Sequence, residues 1–178
     1  MNESGSAAHR ILVAGIGNIF EGDDAFGVEV VKQLAQQPRP DQVHIEDFGI
    51  RSYDLAFALT AGYDVAILVD ATRRGHLPGT LYLLELDLEE LKSLDPGTVD
   101  PHRLNPLRVL QMANALGGVS GKLYLVGCEP AILANENADL GLSDAVQEAI
   151  PQALEMIEAL VRDALGLQTK RLAGLVPS

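Results

Sequence analysis

The sequence predicts an α/β fold, namely a three-layer α/β/α sandwich with a twisted, mostly parallel five-stranded sheet. Strand-like segments alternate with segments of helical periodicity, as is typical of parallel sheets with right-handed crossovers. Two of the strand-like segments, residues 11–16 and 63–69, are apolar on both faces, as expected where helices cover both sides of a sheet. The length of 178 residues and a hydrophobic content of 47% suit one domain with a substantial core.

The strands are predicted from short apolar runs that are bounded by turn residues. The second of them alternates between apolar and polar residues, so we expect it near an edge of the sheet, and the third ends on Asp70. The five predicted strands cover residues 11–16, 42–48, 63–69, 80–86 and 122–127.

Four helices are predicted between and after these strands. The first ends at the Pro38 and Pro40 region, because proline cannot continue a helix. Ser52 is placed to cap a helix over residues 53–60, and a third helix covers residues 105–116. Ser143 is placed to cap a long final helix, which contains Pro151 and is therefore expected to kink. The apolar faces of the first and last helices carry Val28, Val31 and Leu34, and Val146, Ile150, Leu154, Ile157 and Val161.

We expect a single domain over residues 10–166, between flexible tails at residues 1–9 and 167–178. Thirteen basic and 25 acidic side chains give a net charge of −12, which argues against nucleic acid or an anionic membrane as the partner. The single cysteine, Cys128, cannot form an internal disulfide, and the first ten residues lack a secretory apolar core. These observations predict a cytoplasmic protein with no membrane partner.

Acidic residues lie where three of the predicted strands end. Asp24 follows the first strand, Asp47 ends the second and Asp70 ends the third, while His102 lies in a later loop. Because ligands bind beyond the carboxyl ends of parallel strands, these side chains could share one site. Asp24, Asp70 and His102 would suit zinc or nickel and leave positions for a substrate. Each also has an ordinary structural explanation: helix-dipole complement, turn cap or exposed loop histidine.

Other chemistries fit the sequence less well. Gly15 and Gly17 resemble the opening of a dinucleotide-binding turn, but Phe20 stands where the third glycine belongs. Asp47 lies 30 residues beyond Gly17, where about 20 would be expected. No G-x-S-x-G elbow is present, and Cys128 extends a buried strand, which favours a structural role.

Charged residues flank the candidate site on both sides. Glu21 and Asp23, in the loop before Asp24, would repel phosphate and are expected to be solvated charges. A basic patch follows Asp70, which could be solvated surface or could meet an acidic partner. It consists of Arg73, Arg74 and His76.

Several motifs in order together resemble the hydrogenase maturation proteases, which process the large subunit of nickel-iron hydrogenases. The resemblance extends from residue 11 to residue 165. The motifs are G-I-G-N-x-x-x-x-D-D-x-F-G at 15–27, V-A-I-L-V-D-A at 65–71, P-G-T at 78–80, D-P-H at 100–102 and L-V-G-x-x-P at 125–130.

The resemblance implies an endopeptidase that removes a carboxy-terminal extension from the hydrogenase large-subunit precursor after nickel insertion. By position, the metal-binding residues of the family fall on Asp24, Asp70 and His102, with Asp47 as a supporting or catalytic acid. Nickel would arrive with the substrate, other divalent ions could occupy the site in vitro, and the protein would be a monomer. A metal-dependent chaperone that docks the precursor without cutting it is the alternative.

One turn departs from the family pattern. Many members have Asp-Gly-Gly-Thr after the second strand, whereas this chain has Phe48 and Ile50 in place of the first glycine and the threonine. The substrate contacts of this turn are therefore expected to differ, as they would in a different hydrogenase subgroup.

Overall fold

A computed structural model describes residues 9–89, 106–131 and 141–167. Within them, a five-stranded sheet has the order β2-β1-β3-β5-β4, in which all neighbours are parallel except the antiparallel pair of β4 and β5. The strands are β1 (Ile11–Ile16), β2 (Val43–Gly49), β3 (Val65–Ala71), β4 (Leu81–Glu85) and β5 (Lys122–Cys128). The α-helices are α1 (Phe26–Ala35), α2 (Ser52–Leu59), α3 (Pro106–Ala115) and α4 (Asp144–Ala164). The predicted α/β fold with its mostly parallel sheet is confirmed.

Helices cover both faces of the sheet, so the core has two parts. Alternate residues of β1 contribute to opposite sides, as the pleat of a strand requires. Ile11 and Val13 pack with residues of α1 and α4, whereas Leu12 and Ala14 pack with residues of α2 and α3. The three layers predicted from the sequence are therefore present.

Pairing with neighbours, rather than hydrophobicity, sets the beginning of β3. The prediction began this strand at Tyr63, but the strand begins at Val65, which pairs with Ile11 of β1 and Lys122 of β5. Tyr63 is buried outside the ladder, where the guanidinium carbon of Arg10 lies 4.7 Å from the centre of its ring.

Two of the predicted helix caps behave differently from expectation. Ser52 is the first residue of α2 and Arg51 occupies the cap position, so the prediction of a Ser52 cap is wrong. Ser143 does occupy the cap position of α4, but its side chain makes no capping hydrogen bond. Helix α4 continues through Pro151. No helix within the described ranges is long and apolar enough to cross a membrane.

Candidate functional site

The three predicted acidic residues that the structure describes lie at the carboxyl edge of the parallel strands. Gly15 of β1 is flanked in register by Asp47 on β2 and by Val69 on β3, and Asp70 follows Val69. Asp24 lies in a 3-10 turn, Asp23–Ala25, that leads from β1 into α1. His102 lies outside the described residues.

Asp24 is held against the end of β1 by a tight turn. Its Oδ2 accepts a hydrogen bond of 2.7 Å from the backbone N–H of Asn18. Gly17, with φ of +137°, passes so close that a Cβ there would lie 1.7 Å from the backbone oxygen of Asp24. Glycine at position 17 is therefore required by the turn that places Asp24.

The same contacts leave no phosphate cradle at this turn. The N–H of Gly17 donates to the Gly49 carbonyl oxygen at 3.0 Å, and the N–H of Asn18 donates to Asp24. Phosphate binding at such a turn needs these N–H groups. The geometry thus agrees with the sequence argument against a dinucleotide site.

The acids at the edge differ in exposure. Asp70 is only 7% exposed, Asp24 is half-buried and Asp47 is exposed. The Arg51 guanidinium donates a hydrogen bond to the backbone oxygen of Asp47 rather than to its carboxylate. Of the three acids, Asp70 is therefore the one whose charge is least screened by water.

No group of three His, Cys, Asp or Glu residues that could hold a metal ion occurs among the described residues. The metal set predicted from the sequence therefore depends on His102, outside them. Two carboxylates with one imidazole are a donor set that divalent transition metals accept.

Asp23 has a different role from the one the sequence suggested. It is fully buried rather than solvated, so the expectation of a solvated loop charge is wrong. Its carboxylate accepts hydrogen bonds from the N–H of Ser143 at 2.6 Å, the Ser143 hydroxyl at 2.9 Å and the N–H of Ala131 at 2.8 Å. Asp23 thus ties the turn that carries Asp24 to the start of α4 and to the segment after β5.

Glu129, which the sequence analysis did not single out, is a further buried acid at this edge, besides Asp23 and Asp70. It is 3% exposed and directly follows β5. Its carboxylate accepts hydrogen bonds from the N–H groups of Arg74 and Gly75, at 2.8 and 3.2 Å, and from the Tyr82 hydroxyl. Its position directly after the buried strand L-Y-L-V-G-C was the available sequence signal.

These contacts keep Glu129 ionised. Burial alone would raise the pKa of its carboxyl group, but the hydrogen bonds from Tyr82 and from the backbone of Arg74, Gly75 and His76 outweigh burial and lower that pKa to about 2. Burial and the bond to Glu129 raise the pKa of Tyr82 to about 12. Tyr82 is therefore a hydrogen-bond donor at neutral pH.

Cys128 is unsuited to act as a nucleophile. Its side chain is fully buried, and burial together with the negative charges of Asp23 and Glu129 raises the pKa of its thiol to about 12. Nucleophilic cysteines instead have lowered pKa values and accessible sulfur atoms. These properties agree with the predicted structural role.

Comparison with known proteins gives consistent matches over most of the chain. A sequence model described as hydrogenase maturation protease matches residues 28–160, a span that contains Asp47, Asp70 and His102. The hydrogenase 2 maturation protease of Escherichia coli K12 is 36% identical over 157 residues, which are 87% of this chain and 92% of that relative.

Solved structures give the same result. The hydrogenase maturating endopeptidase HybD from E. coli superposes with a TM-score of 0.74 at 36% identity, covering 87% of this chain and 93% of that one. The [NiFe] hydrogenase maturation protease HycI from Thermococcus kodakarensis KOD1 superposes with a TM-score of 0.64 at 28% identity, covering 90% and 95%.

Proposed function

The chain belongs to the hydrogenase maturation protease family, and on this premise we propose that it removes a carboxy-terminal extension from the nickel-loaded precursor of a nickel-iron hydrogenase large subunit. As a member of the family it is an endopeptidase, and a hydrogenase large-subunit precursor is its substrate. The nickel, the extension, the monomeric state and a cytoplasmic location are parts of the proposal.

The observation that carries the proposal is the convergence of Asp24 and Asp70 on one edge beside β1. These two carboxylates and the His102 imidazole would be ligands of the nickel on the precursor, so the metal enters as part of the substrate. Hard oxygen donors and an imidazole can share such an ion with the ligands that the precursor supplies.

Binding at this edge would place the adjoining peptide beside Asp47. Because Asp47 is exposed, its carboxylate can contact the substrate and accept a proton from an attacking water molecule. Holding the peptide and the water together accounts for much of the rate enhancement available to such a site. The exposed Asp47, near the end of β2, therefore suits the role of general base, and the buried Asp70, near the end of β3, suits the role of metal ligand.

Mass spectrometry of a nickel-loaded precursor tests these roles. Asp24→Asn, Asp70→Asn and His102→Ala should each lower the cleavage rate at least about a hundredfold, because each removes a group that contacts the reacting region. Glu21→Gln is the matched control, since it removes an acid from the same loop and should leave cleavage unchanged. Normal cleavage by all three site variants would refute the assignment.

The same experiment separates cleavage from docking. Relatives described as proteases favour a shortened precursor. A stable complex with the wild-type protein and no change in precursor mass would favour the chaperone alternative. A precursor prepared without nickel should be cleaved slowly, and equal rates with and without nickel would refute recognition through the metal.

A further inference from the structure

The loop that leaves the candidate site after Asp70 displays a concentration of positive charge. Arg73, Arg74 and His76 occupy four consecutive positions with Gly75, and all three side chains are exposed. The whole chain has only 13 Lys and Arg against 25 Asp and Glu. A basic loop beside the catalytic edge is thus the opposite of the general character of this protein.

Backbone hydrogen bonds hold this basic loop, residues 72–79, against the end of β5. The N–H of Thr72 donates to the Cys128 carbonyl at 2.8 Å, and the N–H of Gly79 donates to the Glu129 carbonyl at 2.8 Å. Between them, the N–H groups of Arg74 and Gly75 donate to the Glu129 carboxylate. The loop is therefore anchored at both ends and in the middle.

The anchoring does not use the charges of the arginine side chains. Backbone N–H groups and the Tyr82 hydroxyl satisfy Glu129, so neither guanidinium is needed to neutralise it. No ion pair joins Arg73 or Arg74 to a carboxylate in the part of the chain that the structure describes. The guanidinium of Arg74 stacks over Tyr82, with its carbon 5.2 Å from the ring centre. The Arg74 guanidinium is thus positioned on Tyr82, and the exposed Arg73 lies next to it in the chain, so two cations are displayed together.

We propose that the basic loop binds acidic side chains of the precursor, within about five residues of the bond that is cleaved. Arg73 lies three positions after Asp70, so their Cα atoms are at most about 11 Å apart, the length of about three extended residues. Arginine binds carboxylates through paired hydrogen bonds, which makes an acidic peptide the matching partner. The inference rests on the proposed function, because it concerns how the same substrate is recognised.

Steady-state cleavage with neutral variants tests the inference. Arg73→Gln with Arg74→Gln should raise KM about tenfold at low ionic strength and less than about threefold in 0.5 M salt, since exposed charge pairs are screened. The turnover number should change less than about twofold, because the loop would bind the substrate without contacting the reacting atoms.

Arg39→Gln with Lys122→Gln is the matched control. Both side chains are exposed, and both lie at the amino ends of the strands, away from the carboxyl ends: Arg39 precedes β2 and Lys122 begins β5. This variant has the same change in net charge and should keep the wild-type KM at both salt concentrations. An equal rise in KM in the control would show that only the overall charge matters, and would overturn the proposal.

A charge exchange gives an independent test. Arg73→Glu with Arg74→Glu should cleave the native precursor poorly, and should recover to within about threefold of wild type on a precursor whose nearby acids are replaced by lysine. An unchanged KM for the neutral variant at both salt concentrations, or a precursor without acids within five residues of the bond, would overturn this inference alone. Failure of the wild-type protein to cleave any precursor would overturn the proposed function, and this inference with it.

Discussion

Replacing Asp23 should destabilise the whole fold, although this residue is only one position from a predicted ligand. Its buried carboxylate accepts hydrogen bonds from the N–H and hydroxyl of Ser143 and from the N–H of Ala131. Hydrogen bonds to a charged group contribute about 1.5–3 kcal/mol each. In the alanine variant, water can supply some of the lost hydrogen bonds, so the full sum is not lost. We therefore expect Asp23→Ala to lower the free energy of unfolding by about 3–5 kcal/mol.

The isosteric change Asp23→Asn has a smaller expected effect with a definite cause. An amide presents one oxygen and one NH2 group, so one of the two backbone N–H groups must lose its acceptor. That loss should cost about 1–3 kcal/mol, or a decrease in Tm of about 2–12 °C, at about 2–4 °C per kcal/mol for a chain of this length. Ser143→Ala removes only the hydroxyl and should cost about 1 kcal/mol.

Urea denaturation followed by circular dichroism measures these differences. Glu21→Gln is the matched control, because Glu21 is a partly exposed acid two positions earlier in the same loop. Asp23→Ala and Ser143→Ala should be non-additive by about 1 kcal/mol when combined, since they share one hydrogen bond. Glu21→Gln should unfold within about 0.5 kcal/mol of wild type. If Asp23→Asn also unfolds within about 0.5 kcal/mol of wild type, the assigned role of Asp23 is contradicted.

Three further predictions concern residues around the same edge. Thiol-alkylating reagents should neither modify Cys128 in the native protein nor slow cleavage, because its thiol is buried and has a pKa of about 12. Rapid labelling in native buffer would contradict this prediction. The folded pKa of about 2 for Glu129 lies below its ordinary value of 4.5, so its stabilising contribution is present at neutral pH and is lost as the pH falls from about 4.5 towards 2. The difference in urea midpoint between wild type and Glu129→Gln should narrow over that range, and a constant difference would be the contrary result. Gly17→Ala should lower the free energy of unfolding by more than about 3 kcal/mol, because its Cβ would overlap the Asp24 backbone. Gly62→Ala is the control: it has open space around it and should cost about 1 kcal/mol from its positive φ alone. Equal costs for the two variants by thermal melting would refute the steric argument.

The strands of the sheet could be predicted from the sequence because buried strands are runs of apolar residues. The bounds of β1, Ile11–Ile16, agree with the prediction, since every residue of this strand is buried by helices on one face or the other. The start of β3 was misplaced by two residues because Tyr63 is apolar and buried without pairing in the ladder. Hydrophobicity reports burial, and only the neighbouring strands determine where pairing begins.

The site was predictable only in part, for a related reason. Asp24, Asp47 and Asp70 could be placed on one edge, because parallel topology brings strand ends together. Asp23 could not be distinguished from Asp24 in the same way. Its partner Ser143 lies 120 positions further along the chain, so no local pattern shows that one aspartate is buried and the next is half-buried.

The buried carboxylates of Asp23 and Glu129 have the same structural role, because each holds a loop at this edge. Asp23 fixes the turn before α1, and Glu129 fixes the loop after β3, and each accepts hydrogen bonds from backbone N–H groups and a hydroxyl. Because these donors are uncharged and belong to the backbone or to a hydroxyl, Asp23 and Glu129 hold the two segments in place without using the charged side chains that the segments display. Under the proposed function, nickel on the precursor would bind near Asp24 and Asp70, and acidic residues of the precursor would bind the basic loop. Asp23 and Glu129 would then orient the precursor without contacting it, by holding the two segments in place.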